Sequence, residues 1–356
     1  MQTITNDGLQ SACKRITASL LVAAGLGGAT ALAQSPEERV VSDPPPLRAD
    51  PQITTKHALA AGKAAAEPTE TALNLNVVFT TGKLWNPATR RFDTVKLRSY
   101  QGREVDPDRP FISPLLTMSP GETLRITLNN QLPKEASCTD HVHDVNEPHC
   151  ANGTNLHTHG LWVNPAGNSD NVLISVNPGV SFTYEYHIPS DHPAGTFWYH
   201  THKHGSTALQ VSSGMAGTLI VRGDRLPSPS RPGDLDTLLR PIPGQPFRER
   251  VALFQQIQYA CRDPKTSEIK LAADGSYQCD PDDIGGIEFG PRAKYDQFGV
   301  AGPVSNWVKS GRYTSINGQV LPTFAGARVG EIERWRMIHG GVRDSLNLQF
   351  RKLKLG

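Results

Sequence analysis

Apolar residues in this chain recur at every second position, in short runs separated by turn residues, a pattern that favours strands over long helices. Leu73, Leu75, Val77 and Phe79 alternate with mostly polar neighbours. Leu124, Ile126 and Leu128 do the same, Phe182, Tyr184 and Tyr186 follow, and the run from Gly217 to Val221 comes next. A period of two sends successive side chains to opposite faces of a strand, so each run describes a sheet with one face turned to a core. The turns have their material in 32 glycines and 28 prolines. Strands at these intervals predict an all-β chain built of β-sandwich domains.

The organisation along the chain follows from composition. A length of 356 residues corresponds to two domains plus some unstructured chain, at about 150 residues per domain. Residues 1–33 hold a polar segment ending in Lys14-Arg15, an apolar run from Ile16 to Leu32, and the small-residue site Ala31-Leu32-Ala33. These are the three parts of a secretory signal, predicting cleavage after Ala33 and a periplasmic or secreted protein. An N-terminal membrane anchor is the alternative, and no later segment is apolar for long enough to span a bilayer. Residues 34–72 read as a flexible leader, 73–224 as a first strand-rich domain, and 225–250, with six prolines, as a linker. The region 251–356 has a hairpin signal at Asn317-Gly318 and alternating runs at Glu331–Ile338 and Leu346–Phe350. With a long irregular insert between Cys261 and Cys279, it is thin for a sandwich of about 100 ordered residues and reads as a partial domain.

Loss of the signal removes Cys13 and leaves four cysteines for an oxidising compartment. Cys138 with Cys150 and Cys261 with Cys279 read as two local disulfides. A copper thiolate is the competing use of Cys150, because His149 precedes it. The balance of 36 basic and 34 acidic residues is too even to make nucleic acid or an anionic membrane the main partner.

Histidine is concentrated where the chemistry should lie: ten of twelve fall between His141 and His204, an enrichment that suggests metal. Two segments stand out, Asn155-Leu-His157-Thr-His159-Gly160-Leu-Trp162 and Gly195-Thr-Phe-Trp-Tyr-His200-Thr-His202-Lys-His204. On a strand, residues i and i+2 share a face about 6.6 Å apart. Each His-Thr-His therefore projects two imidazoles one way, and two such strands side by side present four to one cluster. Neutral imidazole suits copper, zinc, iron or nickel. His204 continues the alternation and is either a further ligand or a surface residue. His141, His143 and His149 fall in the loop between Cys138 and Cys150 and read as an exposed histidine-rich loop.

At these residues the chain resembles the multicopper oxidases, the laccase and ascorbate-oxidase family. The resemblance runs through His157-Thr-His159-Gly160-Leu-Trp162, the Pro178-Gly179 turn, Gly195-Thr-Phe-Trp-Tyr-His200-Thr-His202 and the stretch from Gly214 to Val221, within about Leu73 to Asp224. A weaker likeness continues at Ser315–Gln319 and Gly330–Arg336. The resemblance implies cupredoxin-like Greek-key sandwiches, the first complete, the second partial and a third absent. It implies copper, with His157 a type 2 ligand and His159, His200 and His202 type 3 ligands. These are half of the eight histidines around a cluster that reduces O2 to water. It also places Asp170 where the family often has a proton-relaying acid, although a turn aspartate reads equally well there.

The same resemblance predicts what is missing. The family's type 1 copper and its His-Cys-His segment have no counterpart, since the only histidine after His204 is His339. The expectation is therefore a truncated or N-terminal piece of an oxidase of phenolic, ascorbate-like or metal-ion reductants, inactive alone. Completion by a missing C-terminal domain or a partner chain is one further reading. A non-catalytic periplasmic copper-binding module is the other, and zinc is not excluded by four imidazoles.

Overall fold

The alternating run around Leu73 belongs to a strand of 17 residues, β1 (Glu70–Asn86), which turns back through residues 87–90 into antiparallel β2 (Arg91–Gln101). A computed structural model of the chain describes residues 39–49, 70–107, 109–138, 148–238, 248–287 and 306–349. The expected signal segment, His141 and His143 lie outside the described residues. β3 (Leu116–Met118), β4 (Thr123–Asn130), β5 (His157–His159), β6 (Ser181–His187), β7 (Gly195–His200) and β8 (Ala216–Val221) follow, with a short helix α1 (Thr207–Ser212) between the last two. The region beyond supplies α2 (Leu235–Leu238), β9 (Arg248–Gln255), β10 (Ile284–Gly285), α3 (Asn306–Ser310), β11 (Ser315–Ile316), β12 (Gln319–Val320) and β13 (Glu333–His339).

The strands form a five-stranded sheet in the order β10-β2-β1-β4-β6 and a four-stranded sheet β3-β8-β7-β5. Alternation explains how they join. Leu73, Leu75 and Val77 of β1, Leu124, Ile126 and Leu128 of β4, and Tyr184 and Tyr186 of β6 share one buried cluster with Leu116, Met118, Tyr199, Leu219 and Val221 of the other sheet. Two inner faces closing on one core make a sandwich, and each fully buried Leu or Ile contributes about 1.5–3 kcal/mol. The all-β sandwich expectation holds, with β1 and β4 parallel and most other neighbours antiparallel.

A third sheet, β12-β11-β9-β13, belongs to the later region. Its hairpin turns at Asn317 (φ 49°) and Gly318 (φ 74°), the two positive φ values that the Asn-Gly pair predicts.

Among the described residues, contacts run across the expected boundaries. Within the expected leader, Val40 bridges Thr323, Pro46 bridges Leu115, and Leu47 joins the sandwich core. β1 begins three residues before Leu73, inside the same stretch. The expected linker contains α2 and the start of β9, with Asp234 accepting a bond from Arg225. β10 crosses from the later region to the free edge of β2, and Ile257, Tyr259 and the second disulfide pack on Leu84, Val95 and Leu97. Of the alternating run Leu346–Phe350, the described residues 346–349 make no strand. Alternation alone does not hold a strand in place without a neighbour for its hydrogen bonds.

Candidate metal centre

The four histidines are brought together by one strand pairing. β5 lies antiparallel to β7 with His157 opposite His200 and His159 opposite Trp198. The His157 ring is 5.5 Å from His159, 5.1 Å from His200 and 5.1 Å from His202, and His200 is 5.6 Å from His159 and 5.9 Å from His202. Ring nitrogens of His157, His159 and His200 all lie within 4.8 Å of one another. His202, two residues past the end of β7, stands beside that trio with its backbone N–H bonded to Asn155 Oδ1 at 2.6 Å. His200 is buried, His157 half-buried, and His159 and His202 are exposed, so the cluster opens to solvent on one side.

Protonation favours ligation. Burial pushes His200 down to about 4, opposed by its own bond to the Thr201 carbonyl and aided by the neighbouring imidazoles. His159 is lowered by partial burial and then by His157 and His202. Both rings are therefore neutral at neutral pH and can offer a lone pair. The Nδ1 of His200 lies 2.7 Å from the Thr201 carbonyl, which leaves Nε2 as the donor to an ion. That Nε2 is 3.4 Å from His159 Nδ1, the spacing of two nitrogens each about 2.0 Å from one ion. A donor set of neutral, converging imidazoles on rigid strands fits copper, whose divalent ion has the highest affinity for nitrogen sites of this kind.

Asp170 sits against the cluster. Its Oδ2 is 2.9 Å from His157 Nδ1 and its Oδ1 accepts the Thr158 N–H at 2.8 Å. A carboxylate beside Nδ1 of a metal-binding imidazole is a common orienting contact. Asp170 thus lies in contact with His157 at the position where the resemblance implies a proton-relaying acid and a turn aspartate reads equally well.

His204 is set apart. β7 ends at His200 and the chain turns through residues 204–206, so the strand alternation does not reach His204, whose ring lies 5.7 Å from His149. Two other histidines of the enriched stretch have structural partners. His192 accepts the Trp162 N–H and faces the Pro193 carbonyl, and His187 pairs with Glu185. Cys138 with Cys150 and Cys261 with Cys279 are disulfides, so Cys150 is no thiolate ligand.

Two residues that the histidine spacing did not single out shape the centre. Trp198 stacks on His200 at 4.3 Å and on His159 at 4.9 Å. Its place two residues before His200 was a legible signal, since i and i+2 share a face. Asn155 is fully buried and ties three segments, donating to the Val172 and Ile174 carbonyls while accepting from His202.

Known proteins resemble parts of this chain. The sequence profile described as multicopper oxidase matches residues 141–225. Laccase-2 of Cryptococcus neoformans var. grubii is 38% identical over 115 residues, 30% of this chain and 18% of that protein. The iron transport multicopper oxidase FET3 of Saccharomyces cerevisiae is 32% identical over 111 residues, 29% of this chain and 16% of that protein. The matches thus span under a fifth of these relatives' length. The multicopper oxidase of Campylobacter jejuni, described as a metallo-oxidase, aligns with 80% of this chain and 40% of its own at 17% identity and a TM-score of 0.45. The segment that carries the four clustered histidines, residues 141–225, is thus the part of this chain that is similar to the multicopper oxidase family.

Proposed function

We propose that this chain holds copper through His157, His159, His200 and His202, with His157 as a type 2 ligand and the others as type 3 ligands, and that it serves a copper-dependent oxidase. The reading rests on one observation above the rest, the pairing of His157 with His200 that sets three ring nitrogens within 4.8 Å. Copper bound there would supply the electrons that reduce O2 to water, drawn from a small reductant. Phenols fit the laccase relatives, an ascorbate-like molecule fits the wider family, and a metal ion fits the iron transport relative.

The chain's own residues prepare that chemistry. Asp170 places a carboxylate oxygen 2.9 Å from His157 Nδ1 and fixes the Thr158 amide beside it. Asn155 anchors the backbone at His202. Trp198 covers one face of His159 and His200 and keeps water from that side. The rigid strands set the imidazoles before metal arrives, which lowers the cost of assembling the site.

Type 1 copper needs a cysteine thiolate, and the four cysteines after residue 33 are in disulfides. This chain alone is therefore proposed to bind copper with little turnover, the remaining ligands coming from protein outside this sequence. The Ala31-Leu32-Ala33 site supports export to the periplasm or exterior, and no helix among the described residues is long and apolar enough to cross a membrane.

Reconstitution with copper tests the reading. Bound copper without an intense blue colour is expected, and replacing His200 and His202 with Ala should remove most of the uptake, whereas replacing His141 and His143 should change it little. Equal losses from the two pairs would sink the ligand assignment. Copper binding with no oxidase activity in any completed assembly would favour a copper-binding module instead.

A further inference from the structure

We propose that His149 and His204 form a second metal site, separate from the four-histidine centre, that takes one copper ion. The two rings are brought together by the backbone on either side of them. His149 precedes Cys150, whose disulfide to Cys138 ties down that end of the loop. The His149 N–H donates to the Gly205 carbonyl at 3.0 Å, locking it to the turn that carries His204.

Gly205 is the residue that makes the arrangement possible. Its φ of 86° turns the chain directly after His204. A Cβ there would lie 2.6 Å from His149 Cε1 and 2.7 Å from both Nδ1 and Nε2. Near-equal approach to three ring atoms means that the imidazole lies flat over the glycine α-carbon. Any larger residue would displace it. The two rings stand 5.7 Å apart, within the 5.1–5.9 Å span of the paired rings in the main centre.

The surroundings suit an ion with an open coordination shell. His204 is exposed and His149 half-buried. On the His204 side, a cavity of about 440 Å³ lined by Pro148, His202, His204 and Gly205 gives water access to that ring. The Lys203 ammonium is bonded to the His204 carbonyl at 3.2 Å. Two imidazoles and water are nitrogen and oxygen donors, for which Cu(II) has the highest affinity among divalent first-row ions.

Equilibrium dialysis of the full chain against Cu(II) decides the matter, run beside His149→Gln, His204→Gln and the double variant. Each single change is expected to lower bound copper by one equivalent, and the double to lower it by no more than one, since both residues serve one ion. The exposed position of His204 makes His204→Gln safe for folding, so that variant alone carries the test if His149→Gln does not fold. Unchanged stoichiometry in His204→Gln would overturn the proposal. So would loss of two equivalents in the double variant, which would mean independent surface binding. Loss of all copper from His204→Gln would show that the two sites are not separate.

Discussion

Asp170 is where a single residue decides most about the centre. One oxygen faces His157 Nδ1 and the other is fixed by the Thr158 amide. Asp170→Asn keeps an acceptor for Thr158 and removes the charge opposite the imidazole. Copper affinity, measured by competition with a chelator, is expected to fall by about 10–100-fold, the usual effect of losing a partner that orients a metal ligand. A fall of less than threefold would place His157 outside the ligand set. Residue by residue, the His-x-His spacing follows the geometry at His157, His159 and His200, where a two-residue period runs along β5 and β7, while His202 lies beside them past the end of β7 and His204 lies beyond, in the turn at 204–206. Asn155 stayed hidden because nothing in its neighbours reveals that its side chain reaches Val172, Ile174 and His202.

Elements are joined to one another here by polar groups as much as by apolar packing. Asn155 binds the start of β5 to the stretch before β6 and to the segment after β7. Asn155→Ala leaves two carbonyls and one amide without their partner, and buried groups so stranded cost about 1–3 kcal/mol each. Urea unfolding followed by circular dichroism is expected to show a loss of about 2–4 kcal/mol, together with weaker copper uptake from the displaced His202. A loss below about 1 kcal/mol would mean that water replaces the amide at no cost. The major strands were legible because each has both alternation and a long partner. The two-residue β10 was not, since its place is set by the edge of β2 and not by its own residues. Leu346–Phe350 shows the converse, alternation without a neighbour.

Across the whole molecule, the early and late regions meet at a cluster of charges. Arg336 is buried and reaches Asp236 at 3.1 Å, Glu249 at 2.8 Å and the Thr196 hydroxyl at 2.8 Å, while Arg222 and Arg334 contact the same two carboxylates. Burial alone would raise both acids. Bonds from the Gly223 amide and Arg334 at Asp236, and from Arg336 and Arg222 at Glu249, outweigh it and hold both carboxyls below their usual range. A carboxyl lowered on folding stabilises the folded state above its unfolded pKa of about 4, and that stability is lost as pH falls through the folded value. Thermal unfolding is therefore expected to be insensitive to these groups between neutrality and about pH 5 and to worsen below about pH 4. In Asp236→Asn the neutral-pH stability should be lower and the acid slope shallower; an unchanged slope would deny the cluster this role. The two-domain division expected from composition overlooked these ties because ion pairs and isolated bridges leave no periodic trace.

The crossing of β10 onto β2 has a consequence for anyone who would transplant the histidine-bearing half into another protein. A cut in the proline-rich stretch, the natural choice from composition, would strip a neighbour from β2 and uncover Leu84, Val95 and Leu97 where Ile257 and Tyr259 now lie. Bare sheet edges and exposed apolar surface invite self-association. The histidine-bearing sandwich is thus not a portable cassette: whatever recombines it must carry residues 257–287 along.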